Sequence, residues 1–242
     1  MGIAAKAFQT WRTSVAPGES TSDLCRKTGI KRSTLAQQLV RGTVSVDTVV
    51  RVARAFDEDP VIALSAFPEF EGLAEGRRAP TDAELISQVS YPCILRTLLT
   101  RAASEPESGL QLEQCVFPYA GSVRLWFEAI DAGDLRQRLS AATGIAPQNI
   151  SAQLSAERLA PDVAVQAARL SGVSLTSGLV VTGVLQPEEG GWPPGAREQA
   201  VAGLSDVELV TLARDRLDAL AKVLRKREHD EKYDHALLEN LG

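Results

Sequence analysis

The strongest constraint on this chain is that part of it is written twice. Thr28-Gly29-Ile30-Lys31-Arg32-Ser33-Thr34-Leu35-Ala36-Gln37-Gln38-Leu39 returns 115 residues later, without a gap, as Thr143-Gly144-Ile145-Ala146-Pro147-Gln148-Asn149-Ile150-Ser151-Ala152-Gln153-Leu154. The register extends beyond this window. Ala5 matches Ala120, Trp11 matches Trp126, Gly18 matches Gly133 and Leu24 matches Leu139; Asp47, Val50, Ala53-Arg54 and Leu64 match Asp162, Val165, Ala168-Arg169 and Leu179. A Trp recurring at one offset is hard to obtain by chance, so the pattern marks an internal duplication. Two modules of about 65–80 residues each are the expected organisation.

The apolar spacing is helical. Phe8, Trp11 and Val15 share one face of a helix over residues 4–15, which Pro17-Gly18 ends. Ser20 or Thr21 caps a second helix reaching Thr28. Gly29 supplies the positive φ of a tight turn, and a third helix follows over residues 32–40. Ser45 caps a fourth helix with Val46, Val49, Val50, Ala53 and Phe56 inward, and Pro60 sits in the first turn of a fifth, over residues 60–66. The fold class expected is all-α.

This order of five short helices resembles the lambda-repressor-like (XRE) helix-turn-helix family. Leu24, Thr28-Gly29-Ile30, Arg32-Ser33-Thr34-Leu35, Gly42, the stretch Val49 to Phe56, Pro60 and Leu64 carry the resemblance. It covers residues 5–67 and again 120–182, about half the chain. The turn after the third helix is slightly longer than the commonest family spacing. The Thr-Leu-x-x-Gln-Leu wording is similar to immunity repressors of actinobacterial phages. The resemblance implies a second, recognition-type helix lying in the major groove of double-stranded DNA.

Helical geometry turns Ser33, Gln37 and Val40-Arg41 outward, with Thr34 beside them and Lys31 and Arg32 at the helix start. Arg32, Ser33 and Gln37 match base-facing positions of the family, and Thr21 matches a contact at the start of the preceding helix. Arg32 suits a guanine edge and Gln37 an adenine edge, while Lys27, Lys31 and Arg41 suit phosphates. In the second copy Gln148 and Asn149 take the places of Ser33 and Thr34, Ser151 follows, and Arg136, Arg138, Arg158 and Arg169 are cations available to phosphates. Gln38 and Gln153, near the buried side, are suited to tie the helix to backbone groups.

Net charge is −5, yet its distribution is uneven. Residues 1–56 carry nine Lys/Arg against three acids, whereas residues 118–171 carry five of each sign. The first copy therefore has the electrostatic footprint of a polyanion binder. The second is either another DNA-reading head or a copy that kept the fold for packing or partner binding.

The organisation expected is a first module at residues 1–78, a connector helix at 79–110, a second module at 111–190, and a linker with a C-terminal helix at 191–242. Residues 68–80, rich in Pro and Gly, form a linker. Thr81 and Glu84 form a capping box, and Ser205 with Glu208 repeats it. In the helix starting there, over residues 205–228, Val210, Ala213, Leu217, Leu220 and Leu224 make a coiled-coil-like seam, either for a dimer or for packing on the same chain. Arg225-Lys226-Arg227 at its end complements the helix dipole.

No apolar run reaches a membrane span, and the N-terminus lacks a signal-peptide core. The odd set Cys25, Cys93 and Cys115 argues against a disulfide framework and for a reducing, cytoplasmic setting in a bacterial host. Cys25 reads as a small core hydrophobe. His229 and His235 sit in a charged tail without metal-ligand spacing, and no phosphate loop or catalytic motif is present, so neither enzyme activity, metal nor cofactor is expected. The sequence thus points to a phage-type immunity repressor that reads an asymmetric site with two heads on one chain, or a homodimer through the C-terminal helix. The alternative is a protein-interaction adaptor of antitoxin type.

Overall fold

The structure, a computed structural model, describes residues 2–102 and 117–239. It is all-α apart from one two-residue ribbon. In chain order the elements are β1 (Ile3–Ala4), α1 (Ala5–Val15), α2 (Thr21–Thr28), α3 (Arg32–Val40), β2 (Thr43–Val44), α4 (Val46–Ala55), α5 (Pro60–Ser65), a 3-10 turn (Pro68–Phe70), α6 (Asp82–Ser87) and α7 (Tyr91–Ala102). Then come α8 (Ser122–Ile130), α9 (Leu135–Thr143), α10 (Pro147–Ser155), α11 (Pro161–Ser171), α12 (Ser177–Val181), α13 (Ala196–Ala202) and α14 (Asp206–Glu239). Cys115 lies outside the described residues, as does the expected boundary at 110/111.

The duplication is visible in the backbone. α3 and α10 start and end 115 residues apart, and the starts and ends of the other four helix pairs follow within two residues. Left-handed residues recur at the same offset: Gly29 (φ 69°) with Gly144 (φ 71°), and Gly18 (φ 77°) with Gly133 (φ 114°). Two further pairs are mixed. Gly42 (φ 76°) corresponds to Glu157 (φ 53°), and Asp57 (φ 55°) to Gly172 (φ 71°). The conformation is kept even where a side chain makes it costly, by about 1–2 kcal/mol for an L-residue.

The caps form where the sequence places them. Ser20 Oγ accepts the Asp23 N–H at 3.1 Å, Ser45 Oγ accepts the Thr48 N–H at 3.2 Å, and Thr81 with Glu84 completes the capping box. Gln38 Oε1 accepts the Ser45 N–H at 3.1 Å, and Gln153 Oε1 accepts the Ala160 N–H at 3.2 Å, one bond written twice. The longer turn after α3 has a structural use: it contains β2, which pairs antiparallel with β1 (Ile3 with Val44, Ala4 with Thr43). The ribbon is not legible in the sequence because two residues give no period.

The described chain divides into two compact units, residues 2–88 with 117–196, and 89–102 with 197–239. Both repeats lie in the first. Its core holds Phe8, Leu24, Leu35, Val49, Val50 and Leu64 from the first repeat and Trp126, Phe127, Leu139, Ile150, Ala164 and Leu179 from the second. The stretch expected as a linker, residues 68–80, is packed: Phe70 and Leu73 are buried, and the Gly76 carbonyl accepts the Leu175 N–H at 3.0 Å. A Cβ at Gly76 would lie 2.4 Å from the Leu175 side chain, so the glycine is there for close approach rather than looseness.

The expected connector helix is two helices. α6 packs on α8 and belongs to the first unit, while α7 belongs to the second. In the second unit α7 packs against α14, and Ile94, Leu209 and Ala213 from these helices share a core with Val89 and with Val201 of α13. Arg101 fastens the end of α7 to the carbonyls of Ala202 and Leu204 and to Asp206, each within 2.9 Å. The inward face of α14 keeps Ala213 of the expected seam but not Val210, Leu217 or Leu224. Leu209 and Ala213 face inward, whereas Val210 is 56% and Leu217 38% exposed, because α7 supplies a partner surface that periodicity alone cannot locate. Cys25 is free and buried, but Cys93 is disulfide-bonded, contrary to the expectation drawn from the odd cysteine count. Among the described residues no helix is long and apolar enough to cross a membrane.

Candidate nucleic-acid interface

α2 and α3 meet at the Gly29 turn, with Leu24 and Leu35 fully buried between them and α4. That anchoring fixes which side of α3 looks outward. Ser33, Thr34, Ala36, Gln37, Val40 and Arg41 are exposed, and Gln38 and Leu39 are half-buried. The sequence-predicted residues Lys31, Arg32, Ser33, Thr34, Gln37 and Arg41 therefore come together on one open face with Val40.

The charges beside that face behave differently from those on it. Arg26 pairs with Asp23 at 2.8 Å, Arg51 with Asp47 at 2.8 Å, and Lys27 with Glu19. Lys27 also lies 4.9 Å from the centroid of the Phe56 ring, so its ammonium is held against the protein. Arg12 donates to the Glu19 carbonyl at 2.7 Å and to Thr21 Oγ1 at 3.4 Å, which places Thr21 exposed at the start of α2 with its hydroxyl engaged. Lys31, Arg32 and Arg41 make no ion pair or side-chain hydrogen bond among the described residues.

Lys31 is the N-cap of α3, with no side-chain cap, and Arg32 is its first residue. Two cations at the positive end of a helix dipole are unfavourable by about 0.3–1 kcal/mol each, and no acid in the first turn of α3 offsets them. The open N–H groups and the two cations together make a surface suited to an anion.

The second repeat presents the same backbone with other chemistry. At the start of α10 the equivalents of Lys31 and Arg32 are Ala146 and Pro147, and the equivalent of Arg41 is Ala156. Gln148 and Asn149 are exposed on the first turn. Ser151 is half-buried, and its hydroxyl donates to the Pro147 carbonyl at 3.0 Å. Arg136 and Arg158 are exposed, with no side-chain partner among the described residues. The other three cations are occupied: Arg124 pairs with Glu128 at 3.0 Å, Arg138 donates to the Leu170 carbonyl at 2.7 Å, and Arg169 to the Glu71 carbonyl at 2.8 Å. Glu157, at the Gly42 position, turns its carboxylate onto the Val123 N–H at 2.9 Å; burial pushes its pKa above the usual glutamate range.

Several residues hold the two repeats together, a role for which the sequence carries no signal. Arg54 grips Glu189 with two bonds of 2.7 Å, and Arg77 bonds Asp59 at 2.7 Å and the Glu189 carbonyl at 3.3 Å. Burial pushes the Asp59 carboxyl up, but Arg77 and the Val61 N–H outweigh it and hold the pKa below the usual range. Arg78 donates to the Gly172 and Val173 carbonyls at 3.2 and 3.1 Å. Glu84 is fully buried; beyond its capping role it accepts the Trp126 indole N–H at 3.1 Å. Among the described residues there is no cluster of His, Cys, Asp and Glu that could hold a metal ion.

No family model, curated protein or solved structure matches the chain.

Proposed function

We propose that this chain is a sequence-specific DNA-binding transcriptional repressor built on two lambda-repressor-like repeats, with α3 as its principal reading helix. The observation that carries the reading is the free cationic start of α3. Lys31 and Arg32 stand unpaired at the positive end of a helix whose outer face is otherwise Ser33, Thr34, Gln37, Val40 and Arg41. Such a start is unfavourable in the isolated chain and favourable once a phosphate or guanine edge meets it. Lys31 and Arg41 meet phosphates, Arg32 and Gln37 meet base edges, and Ser33 and Thr34 lie between them.

The second repeat adds Gln148 and Asn149 as further base readers, flanked by Arg136 and Arg158. Two non-identical readers on one molecule favour an asymmetric site, and the packing of both repeats in one compact unit favours a fixed spacing between them. Repression then follows by occlusion of a promoter, and an immunity repressor of phage type is the particular member of this class that the sequence resembles.

The test is selection of binding sequences from a random duplex library with the whole chain and with a Gln148→Ala, Asn149→Ala double variant. A long asymmetric site that shortens at one end in the variant supports two readers. An unchanged short site leaves α3 as the sole reader. A palindrome would replace the monomer reading by a dimer through α14. Selection of no sequence refutes DNA reading and favours a protein-interaction role.

A further inference from the structure

Val40 is the most exposed of the large apolar side chains in the described structure, at 88%. It is the last residue of α3, three residues after Gln37 and seven after Ser33, and so on the same outward stripe. Its neighbours in the chain are a half-buried Leu39 and an exposed Arg41. A β-branched side chain at a helix end adds no helix propensity, and this one shields no core. Its stiffness holds two methyl groups in a defined direction, one turn along the stripe from Gln37.

We propose that Val40 is a specificity-determining residue that reads the 5-methyl group of a pyrimidine in the major groove. This rests on the reading of α3 as the recognition helix. In that groove thymine is distinguished by its C5-methyl, and an apolar side chain is the group that recognises it. The same methyl group is presented by thymine and by 5-methylcytosine. One helical turn separates Val40 from Gln37, about the rise of one to two base pairs. The methyl-bearing pyrimidine therefore lies within two base pairs of the base that Gln37 contacts, and Arg41 beside it is left for the adjoining phosphate.

The experiment uses the full chain on its selected duplex. Each thymine is replaced in turn by deoxyuridine, which removes only the methyl group, and each cytosine in turn by 5-methylcytosine. Binding is compared for wild type and Val40→Ala. Alanine at this exposed helical position favours the helix, so the variant keeps its fold, which circular dichroism checks.

One deoxyuridine is expected to weaken wild-type binding about fourfold, the factor that corresponds to burying one methyl group. The same replacement has no effect on Val40→Ala. If the contacted base is cytosine, methylation at one position instead tightens wild-type binding by a similar factor and leaves the variant unchanged. Tight binding with no methyl dependence at any position, or equal dependence in both proteins, overturns the role of Val40 while leaving DNA reading intact. Failure of the wild type to bind any duplex overturns both.

Discussion

The two repeats share a backbone and differ in what they do with charge. In the first, acids neutralise the cations at the sides of the helix pair: Asp23 takes Arg26, Glu19 takes Lys27 and Asp47 takes Arg51. The cations at the ends of α3 are left open. In the second, the corresponding helix start is Ala146-Pro147, a good apolar beginning that asks nothing of a ligand. Two of the second repeat's arginines, Arg138 and Arg169, close on backbone carbonyls. A duplicated fold thus preserves geometry under weak sequence identity. The two repeats differ in the cost they tolerate: the first has an unfavourable cationic helix start, and the second has Ala146-Pro147 in its place.

The largest test of this contrast is in binding. Lys31→Ala with Arg32→Ala is expected to weaken DNA binding by about 100-fold or more, since one bidentate base contact alone is worth about 1–3 kcal/mol. The salt dependence should flatten by about one unit of slope, because Lys31 no longer neutralises a phosphate. Gln148→Ala with Asn149→Ala is expected to lose affinity with the salt slope unchanged, because these are uncharged groups. Fluorescence anisotropy across a salt series measures both. Equal losses and equal slopes for the two variants would break the contrast.

Next in size is stability. Glu84→Ala leaves the buried Trp126 indole N–H without an acceptor and removes the α6 capping box, a loss of about 2–3 kcal/mol in denaturant unfolding. Trp11, at the same position of the first repeat, does not donate to this residue, so the change should report on the second repeat through Trp126.

The smallest effects come from the exchanged turn residues. At Gly42 a Cβ meets nothing within 4 Å, so Gly42→Ala is expected to cost only the left-handed backbone, about 1 kcal/mol. Glu157→Gly should be nearly neutral, because it relieves the same backbone and forfeits the carboxylate on the Val123 N–H. Burial raises the Glu157 pKa in the folded chain above its ordinary value of 4.5. The folded state therefore binds the proton more tightly, and stability falls as pH rises from 4.5 through the raised value. Glu157→Gln, which does not titrate, should flatten that fall. Unfolding midpoints taken from about pH 4 to about pH 7 read it, and an unchanged slope would show that the carboxyl does not couple to folding.

Local elements of both repeats are legible in the sequence because their signals are local. Gly29 and Gly144 mark turns, Ser20, Ser45 and Thr81 mark caps, and the apolar period of Leu24, Leu35 and Val49 sets the inner faces. The outward face of α3 follows from the same period, so Arg32, Ser33 and Gln37 can be placed on it from spacing alone. The splitting of residues 79–110 is not legible, since Gln88 and Val89 look ordinary until one packs with Ser122 and the other enters the second unit. Nor is the seam of α14, where two apolar stripes are offset by one residue and only α7 decides between Leu209 and Val210.

By itself the sequence determined that this is a helical chain with a duplicated pattern, where most helices begin, and which charges lie near α3. Repetition and periodicity are properties of the string. The tertiary structure alone decided that the Pro/Gly stretch is packed rather than slack, that Arg54, Arg77 and Arg78 are spent on holding one repeat to the other, and that Lys31, Arg32 and Arg41 remain open. Whether a cation is engaged depends on which distant carbonyl or carboxylate reaches it. That is set by the packing of segments 94 residues apart, as between Arg78 and Gly172, and no local pattern encodes it.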